Sequence, residues 1–224
     1  MSGRDAILGR IRQSLGASAD DAARAATVAR RLSKPPKGVI PARGQLDQKG
    51  RIALFSTMSE RVLASVRHVK GGADVPKAVA EYLRSHNLPS SVRMGADQRL
   101  AAMPWQKQKA LQVKSGASDG EDQAGVSHAF GAVAESGTLV MASGPDNPTT
   151  VNFLPEHHIV IVDAGDIDGD LETVLGKVRK AYGKRHMPRT VNLITGPSRS
   201  GDIEQKLLLG AHGPCAVHIV VVGG

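Results

Sequence analysis

Two short runs, His158-Ile-Val-Ile-Val162 and Val217-His-Ile-Val-Val-Val222, are built almost entirely from β-branched residues, and segments of helical period lie between such runs. An apolar run of this length without polar alternation suits a strand covered on both faces, and strands joined through helices imply crossover connections and a parallel sheet. The pattern predicts an α/β fold with a mainly parallel sheet flanked by helices. Neither run approaches the roughly 18–20 residues that a membrane helix requires, so no membrane span is expected.

The start of the chain carries helical spacing of a different kind. Ile7, Leu8, Ile11 and Leu15 predict a helix over 4–15, and Ala22, Ala25, Ala26 and Ala29 a second over 20–32, with Asp20 as its N-cap. Ser33-Lys-Pro-Pro-Lys-Gly-Val-Ile-Pro41 breaks any helix and reads as a linker. This gives a helical N-terminal arm and linker over 1–45 and an α/β domain over 46–224, within the size of one domain. In the domain the expected order is helix 46–65, strand 66–69, helix 75–86 headed by Asp74, strand 92–94, a segment near 111–114 and a turn over 115–122. There follow strand 132–142, a helical turn over 149–154, strand 158–162, helix 171–182, strand 190–195, helix 202–209 and strand 216–222. Ligands of such sheets gather at the carboxyl ends of strands, which directs attention to the loops after residues 142 and 195.

Composition narrows the function classes. The formal charge is +8, with much of the excess in the first 70 residues; a basic arm of this kind reads as a solvated face or a surface for an acidic partner. Aromatic residues are 3% of the chain, which leaves few platforms for base stacking, so no nucleic acid is expected as a partner. Cys215 is the one cysteine, against the four thiolates that hold an iron–sulfur cluster, so no such cluster is expected on this chain. Met1-Ser-Gly-Arg-Asp-Ala-Ile-Leu8 lacks the features of a secretion signal, and a cytoplasmic location is expected. No Gly-x-Gly-x-x-Gly follows a strand and no Walker-type loop is present, so the cofactor is unknown.

Ala132-Val-Ala-Glu-Ser-Gly-Thr-Leu-Val140 and Ile194-Thr-Gly-Pro-Ser-Arg-Ser-Gly-Asp-Ile-Glu204, the latter followed by Leu209-Gly-Ala-His-Gly-Pro214, resemble the signature segments of the LutC/YkgG lactate-utilisation proteins, the lactate utilisation protein C group that shares the LUD domain. The resemblance is carried by residues 110–222. It departs in having Ser136 and Ser200-Gly201 where the family often has Thr and Thr-Ala. It implies a sheet like that of the NagB/RpiA/CoA-transferase group, and a subunit of an L-lactate oxidation system whose iron–sulfur clusters lie on separate partner proteins. The alternatives are a stand-alone enzyme with a CoA-transferase-like or sugar-phosphate-isomerase-like site, or a ligand-sensing module.

Glu135 resembles the loop carboxylate that CoA-transferase-like enzymes use as nucleophile, and is the candidate catalytic residue; it can equally pair with an arginine or cap backbone amides. Ser136, Gly137 and Thr138 beside it are candidate ligand contacts, together with Asn147 in the Pro145–Pro148 loop. In the second segment Gly196, Pro197, Ser198 and Arg199 form a turn at an expected helix N-terminus, where Asp202 and Glu204 in the first turn would repel a phosphate. Ser198 or Ser200 as N-cap is one reading there; a hydroxylated ligand, a cation or a nucleotide held through Arg199 is the other. His212 completes the candidate set. Glu156-His-His158, His212 and His218, with Cys215 three residues after His212, invite a metal reading, but histidines in apolar strands, as His158 and His218 are, are more often hydrogen-bonded core residues, and no metal site is assigned. Trp105 reads as a packing anchor.

Overall fold

The structure is a computed structural model that describes residues 2–18, 21–183, 186–203 and 206–224, the side chains of 202, 203, 206 and 207 excepted. It divides into two compact units, Met1–Val39 and Ile40–Gly224.

The first unit holds α1 (Gly3–Ser14) and α2 (Ala22–Ser33), neither of which has a buried residue. Local chemistry therefore carries them. Ser2 and Asp5 close a capping box on α1, and Asp21 caps α2 by accepting from the Arg24 amide at 2.9 Å. Asp20, the expected cap, lies outside the described residues.

The second unit begins its regular structure with α3 (Gln48–Arg61), β1 (Ser65–Val69), α4 (Val75–Ser85), β2 (Ser91–Met94), α5 (Gln98–Ala101) and β3 (Gln112–Ser115). It continues through β4 (Ala124–His128), β5 (Gly131–Val133), β6 (Thr138–Ala142), α6 (Thr149–Phe153), β7 (His157–Asp163), β8 (Ile167–Asp168) and α7 (Leu171–Tyr182). It ends with β9 (Val191–Ile194), β10 (Arg199–Ile203), β11 (Lys206–Leu209) and β12 (Ala216–Val222).

Six strands form the expected parallel sheet, in the order β1-β12-β7-β4-β2-β3. The two apolar runs of the sequence, β7 and β12, are neighbours at its centre. Their alternation sorts the core: Ile159, Ile161 and Val220 face one way, Val160, Val162, Ile219 and Val221 the other, and all are at most 1% exposed. On the first face lies α4, whose Val75, Ala78, Val79, Tyr82 and Leu83 repeat at helical spacing, with Pro76 in the first turn. Trp105 seals the same layer, its indole N–H donating to the Leu100 carbonyl at 2.7 Å.

The opposite face is covered differently from expectation. Alongside Phe55 of α3 it meets a second sheet of four strands, β8-β5-β6-β9, in which β5–β6 and β6–β9 are antiparallel. The expected strand 132–142 is in fact the hairpin β5–β6, because the chain reverses at Ala134–Gly137, where the Gly137 amide returns to the Val133 carbonyl at 3.0 Å. Val174 and Val178 of α7 pack on the outer side of this second sheet, against Val133 and Val140.

Two further elements differ. β4, a fully buried central strand, has no counterpart in the sequence reading: Ala124-Gly-Val-Ser-His128 mixes glycine and polar residues into a strand that only burial identifies. The expected helix 202–209 is the β10–β11 hairpin, with Arg199 paired to Leu209 and Ser200 to Leu208. No helix N-terminus exists there, so Ser198 and Ser200 are not N-caps. The hairpin is clasped at its base, where the Ser198 amide donates to the Pro214 carbonyl and the Gly210 amide to the Ser198 carbonyl, both at 2.9 Å. Gly210 sits at φ +81°, and a Cβ there would lie 2.8 Å from Cys215 Cβ, so only glycine fits the return. Among the described residues no helix is long and apolar enough to cross a membrane.

Candidate functional site

The loop that follows β9 and the His212–Pro214 turn enclose a cleft of about 210 Å³. Three of the expected site residues, Gly196, Ser198 and His212, line it, beside Thr195, Gly213 and Pro214. Ser198 is the junction of the two loops, since its hydroxyl also accepts from the His212 amide at 3.3 Å. The β5–β6 turn reaches the same place through hydroxyls: Ser136 Oγ meets Thr138 Oγ1 at 2.8 Å, and Thr138 Oγ1 meets Thr195 Oγ1 at 2.8 Å. Thus the two segments singled out in the sequence touch in space through Thr138 and Thr195.

The floor of the cleft comes from Asn152, which the sequence reading left out, and His158, which it took for a hydrogen-bonded core residue. His158 and Asn152, both 0% exposed, line it from beneath. Ser127 Oγ donates to Asn152 Oδ1 at 2.6 Å, and the hydroxyl, having spent its one proton, accepts from His158 Nε2 at 3.1 Å. Burial pushes the His158 pKa down to about 3, so its ring is neutral. With the proton on Nε2, Nδ1 is left as an acceptor, and Nδ2 of Asn152 as a donor; neither has a partner. Each unpaired buried group costs about 1–3 kcal/mol, and a donor and an acceptor among the residues lining a cavity are what a small hydroxylated acid, amide or alcohol would satisfy. The signal that could have found this floor is the placing of Ser127, Asn152 and His158 within otherwise apolar segments.

Other expected residues are elsewhere. Glu135, 8% exposed, pairs with Arg43 through Oε2, which lies 3.6 Å from Nε, beyond hydrogen-bond distance. Asn147 staples its own loop, donating to the Ala142 carbonyl at 3.0 Å. Gly137 packs against α3, Pro197 is buried, and Arg199 is exposed on β10. Asp202 belongs to β10, but its side chain, like the whole of Glu204, lies outside the described residues.

The cleft lies at the end of the sheet opposite to the carboxyl ends that the parallel strands direct attention to. His158 and Val217 stand at the amino ends of β7 and β12. The loop after residue 195 arrives there because β9 belongs to the second sheet, where it runs antiparallel to β6. The carboxyl edge has its own crevice of about 320 Å³, lined by Arg99, Met103, His128 and Asp163 among others. Arg99 is clamped by Asp97, with Nη2 to Oδ2 at 2.7 Å. His128 is buried between two acceptors, Nδ1 2.9 Å from the Ala129 carbonyl and Nε2 3.3 Å from Asp163 Oδ2.

Burial first, then the Arg99 charge, holds the His128 pKa below its usual value against the pull of Asp163 and Asp97. A histidine kept neutral in the fold but free to charge when unfolded makes the unfolded state bind more protons as pH falls below about 6.5. Stability is therefore complete above that pH and lost on acidification, by at most about 1.4 kcal/mol per pH unit for one group. Urea unfolding from pH 7.5 to 5 is expected to fall less steeply for His128→Gln than for the parent; parallel slopes would show that His128 does not titrate in this way.

Comparison with known proteins gives consistent results. Residues 52–222 match the family model described as the LUD domain. A lactate utilization protein C of Geobacillus sp. (strain WCH70) is 38% identical over 107 residues, covering 46% of this chain and 44% of that protein. Proteins of the same name from Geobacillus thermodenitrificans and Halalkalibacterium halodurans are 36% and 35% identical, over 46% and 44% of this chain and 45% and 43% of theirs. The match thus spans less than half the length of these relatives. A crystal structure of a DUF162 family protein from Deinococcus radiodurans superposes with TM-score 0.57 over 80% of this chain and 99% of that one; at 20% identity the likeness is one of fold.

Proposed function

The chain belongs to the LUD domain family, and we propose that it is the ligand-holding subunit of an L-lactate utilisation system, taking L-lactate or pyruvate in the loop cleft and acting beside separate iron–sulfur proteins. The observation that carries this reading is the similarity to proteins named lactate utilization protein C. The cleft supports it chemically: Asn152 Nδ2 suits a carboxylate or keto oxygen and His158 Nδ1 a hydroxyl proton. A volume of about 210 Å³ suits an acid of a few carbons. Electron transfer is assigned to partners because one cysteine here stands against the four a cluster takes.

Thermal unfolding with added acids tests the ligand. A ligand at ten times its Kd stabilises by about 1.4 kcal/mol, which for a chain of this size raises Tm by about 3–6 °C. L-lactate or pyruvate is expected to give that rise in the parent and not in Asn152→Ala, with CoA and sugar phosphates inert. Affinity purification from cells, assayed for iron and acid-labile sulfide, tests the partners. No rise with either acid and no copurifying iron–sulfur protein would end the proposal. Glu135 supports a second reading, an enzyme that uses its buried carboxylate, ion-paired to Arg43 through Oε2, as base or nucleophile; turnover by the isolated chain, abolished in Glu135→Gln, would select it.

A further inference from the structure

Glu156, His157 and Cys215 come together at the amino ends of the two central strands. One carboxylate oxygen, one imidazole nitrogen and the Cys215 sulfur lie within 4.8 Å of one another. The sheet register creates the group: β7 and β12 run parallel with His157 opposite Ala216, so the residues that open the two strands sit side by side. Both the Ala216 amide, at 3.2 Å, and Cys215 Sγ, at 3.3 Å, point to the Glu156 carbonyl. His157 is also held in place from behind. Its Nδ1 is 2.9 Å from the Tyr82 hydroxyl, and Tyr82 is itself stacked on His218 at 4.2 Å between ring centroids. Strand alternation sends His157 to this face and His158 to the cleft, so the two are separate places.

We propose that Glu156, His157 and Cys215 form a binding site for a divalent transition metal of borderline softness, with Zn²⁺ the best match. A thiolate, an imidazole and a carboxylate are the donor types zinc takes, whereas calcium and magnesium select oxygen alone. The charges also agree, since a thiolate and a carboxylate neutralise one dication. Tyr82 holds Nδ1 and leaves Nε2 for the ion, the outer-shell arrangement usual for metal-bound histidine. Bonds of about 2.0–2.3 Å place tetrahedral ligands about 3.4 Å apart, and the exposed Glu156 side chain is free to close the group to that spacing. Water from the open side takes the fourth position. No contact with the lactate cleft is needed, so this site stands or falls apart from that reading.

Cobalt(II), which takes the same ligands and is coloured, is the probe. The untagged, chelator-stripped and reduced full chain is titrated with CoCl₂ and then with ZnCl₂. Expected is a saturable one-to-one signal with thiolate-to-cobalt charge-transfer absorption in the near ultraviolet and tetrahedral bands in the visible, erased by zinc. Cys215→Ser abolishes the charge-transfer absorption, and Cys215→Ser and His157→Gln weaken zinc binding by more than about 100-fold, while Tyr82→Phe weakens it about 10-fold. Circular dichroism on each variant confirms that it is folded. Absence of charge-transfer absorption in the parent, or its persistence in Cys215→Ser, would overturn the site.

Discussion

Gly137→Ala is expected to lose about 2–5 kcal/mol of unfolding free energy, the sum of a left-handed alanine and an overpacked contact. Gly137 has φ +66°, and a Cβ on it would stand 2.5 Å from the Ser59 amide nitrogen and 2.7 Å from the Met58 carbonyl carbon. These are backbone atoms of α3, which cannot rotate away as a side chain would. The β5–β6 hairpin must therefore lift from the helix or the turn must change shape. Either result moves Ser136 and Thr138, the start of the hydroxyl ladder to Thr195. Urea denaturation measures the loss, and a variant within about 0.5 kcal/mol of the parent, the range of neutral surface changes, would show that the turn is not pressed against α3 as described.

Phe55→Ala is expected to cost about 3–5 kcal/mol, the usual loss for truncating a buried phenylalanine. Phe55 is 0% exposed and joins α3 to the layer between the two sheets, among Leu139, Met141, Val160 and Ile219. Set against the roughly 5–15 kcal/mol of a typical domain, the variant should unfold at much lower urea or not fold at all. Guanidinium midpoints on parent and variant check this, and a loss below about 1 kcal/mol would mean that the site collapses around the cavity. Because Gly137 rests on the same helix as Phe55, the double variant should lose less than the two separate losses combined, by about 0.5–3 kcal/mol.

Both results bear on why some elements were legible and others not. Ile159–Val162 and Val217–Val222 could be read as central strands because a residue buried on either face must be apolar, and β-branched side chains fit a pleated surface. α4 and α7 could be read because a helix covered on one side shows its stripe at helical spacing. The β10–β11 hairpin could not: Ile203, Leu207, Leu208 and Leu209 satisfy either period over so short a stretch. The ties that decide it, from Ser198 to Pro214 and to Gly210, are made by the returning chain. β4 was missed for the converse reason, since it contains the polar residue Ser127, which is accommodated through partners far away in sequence, Asn152 and His158.

The candidate site divides along the same line. The sequence by itself singled out two glycine-containing loops, at Glu135–Thr138 and Gly196–His212, through their resemblance to the signature segments of the family. It determined also that the main sheet is parallel. Only the tertiary structure decided that Glu135 faces Arg43 and that Thr138 reaches Thr195. Only it set His158 and Asn152 beneath the loops as an unpartnered acceptor and donor. The physical reason is range. Turn and strand preferences act over a few neighbouring residues, whereas a buried polar group takes its role from whatever the completed fold places within about 3 Å of it.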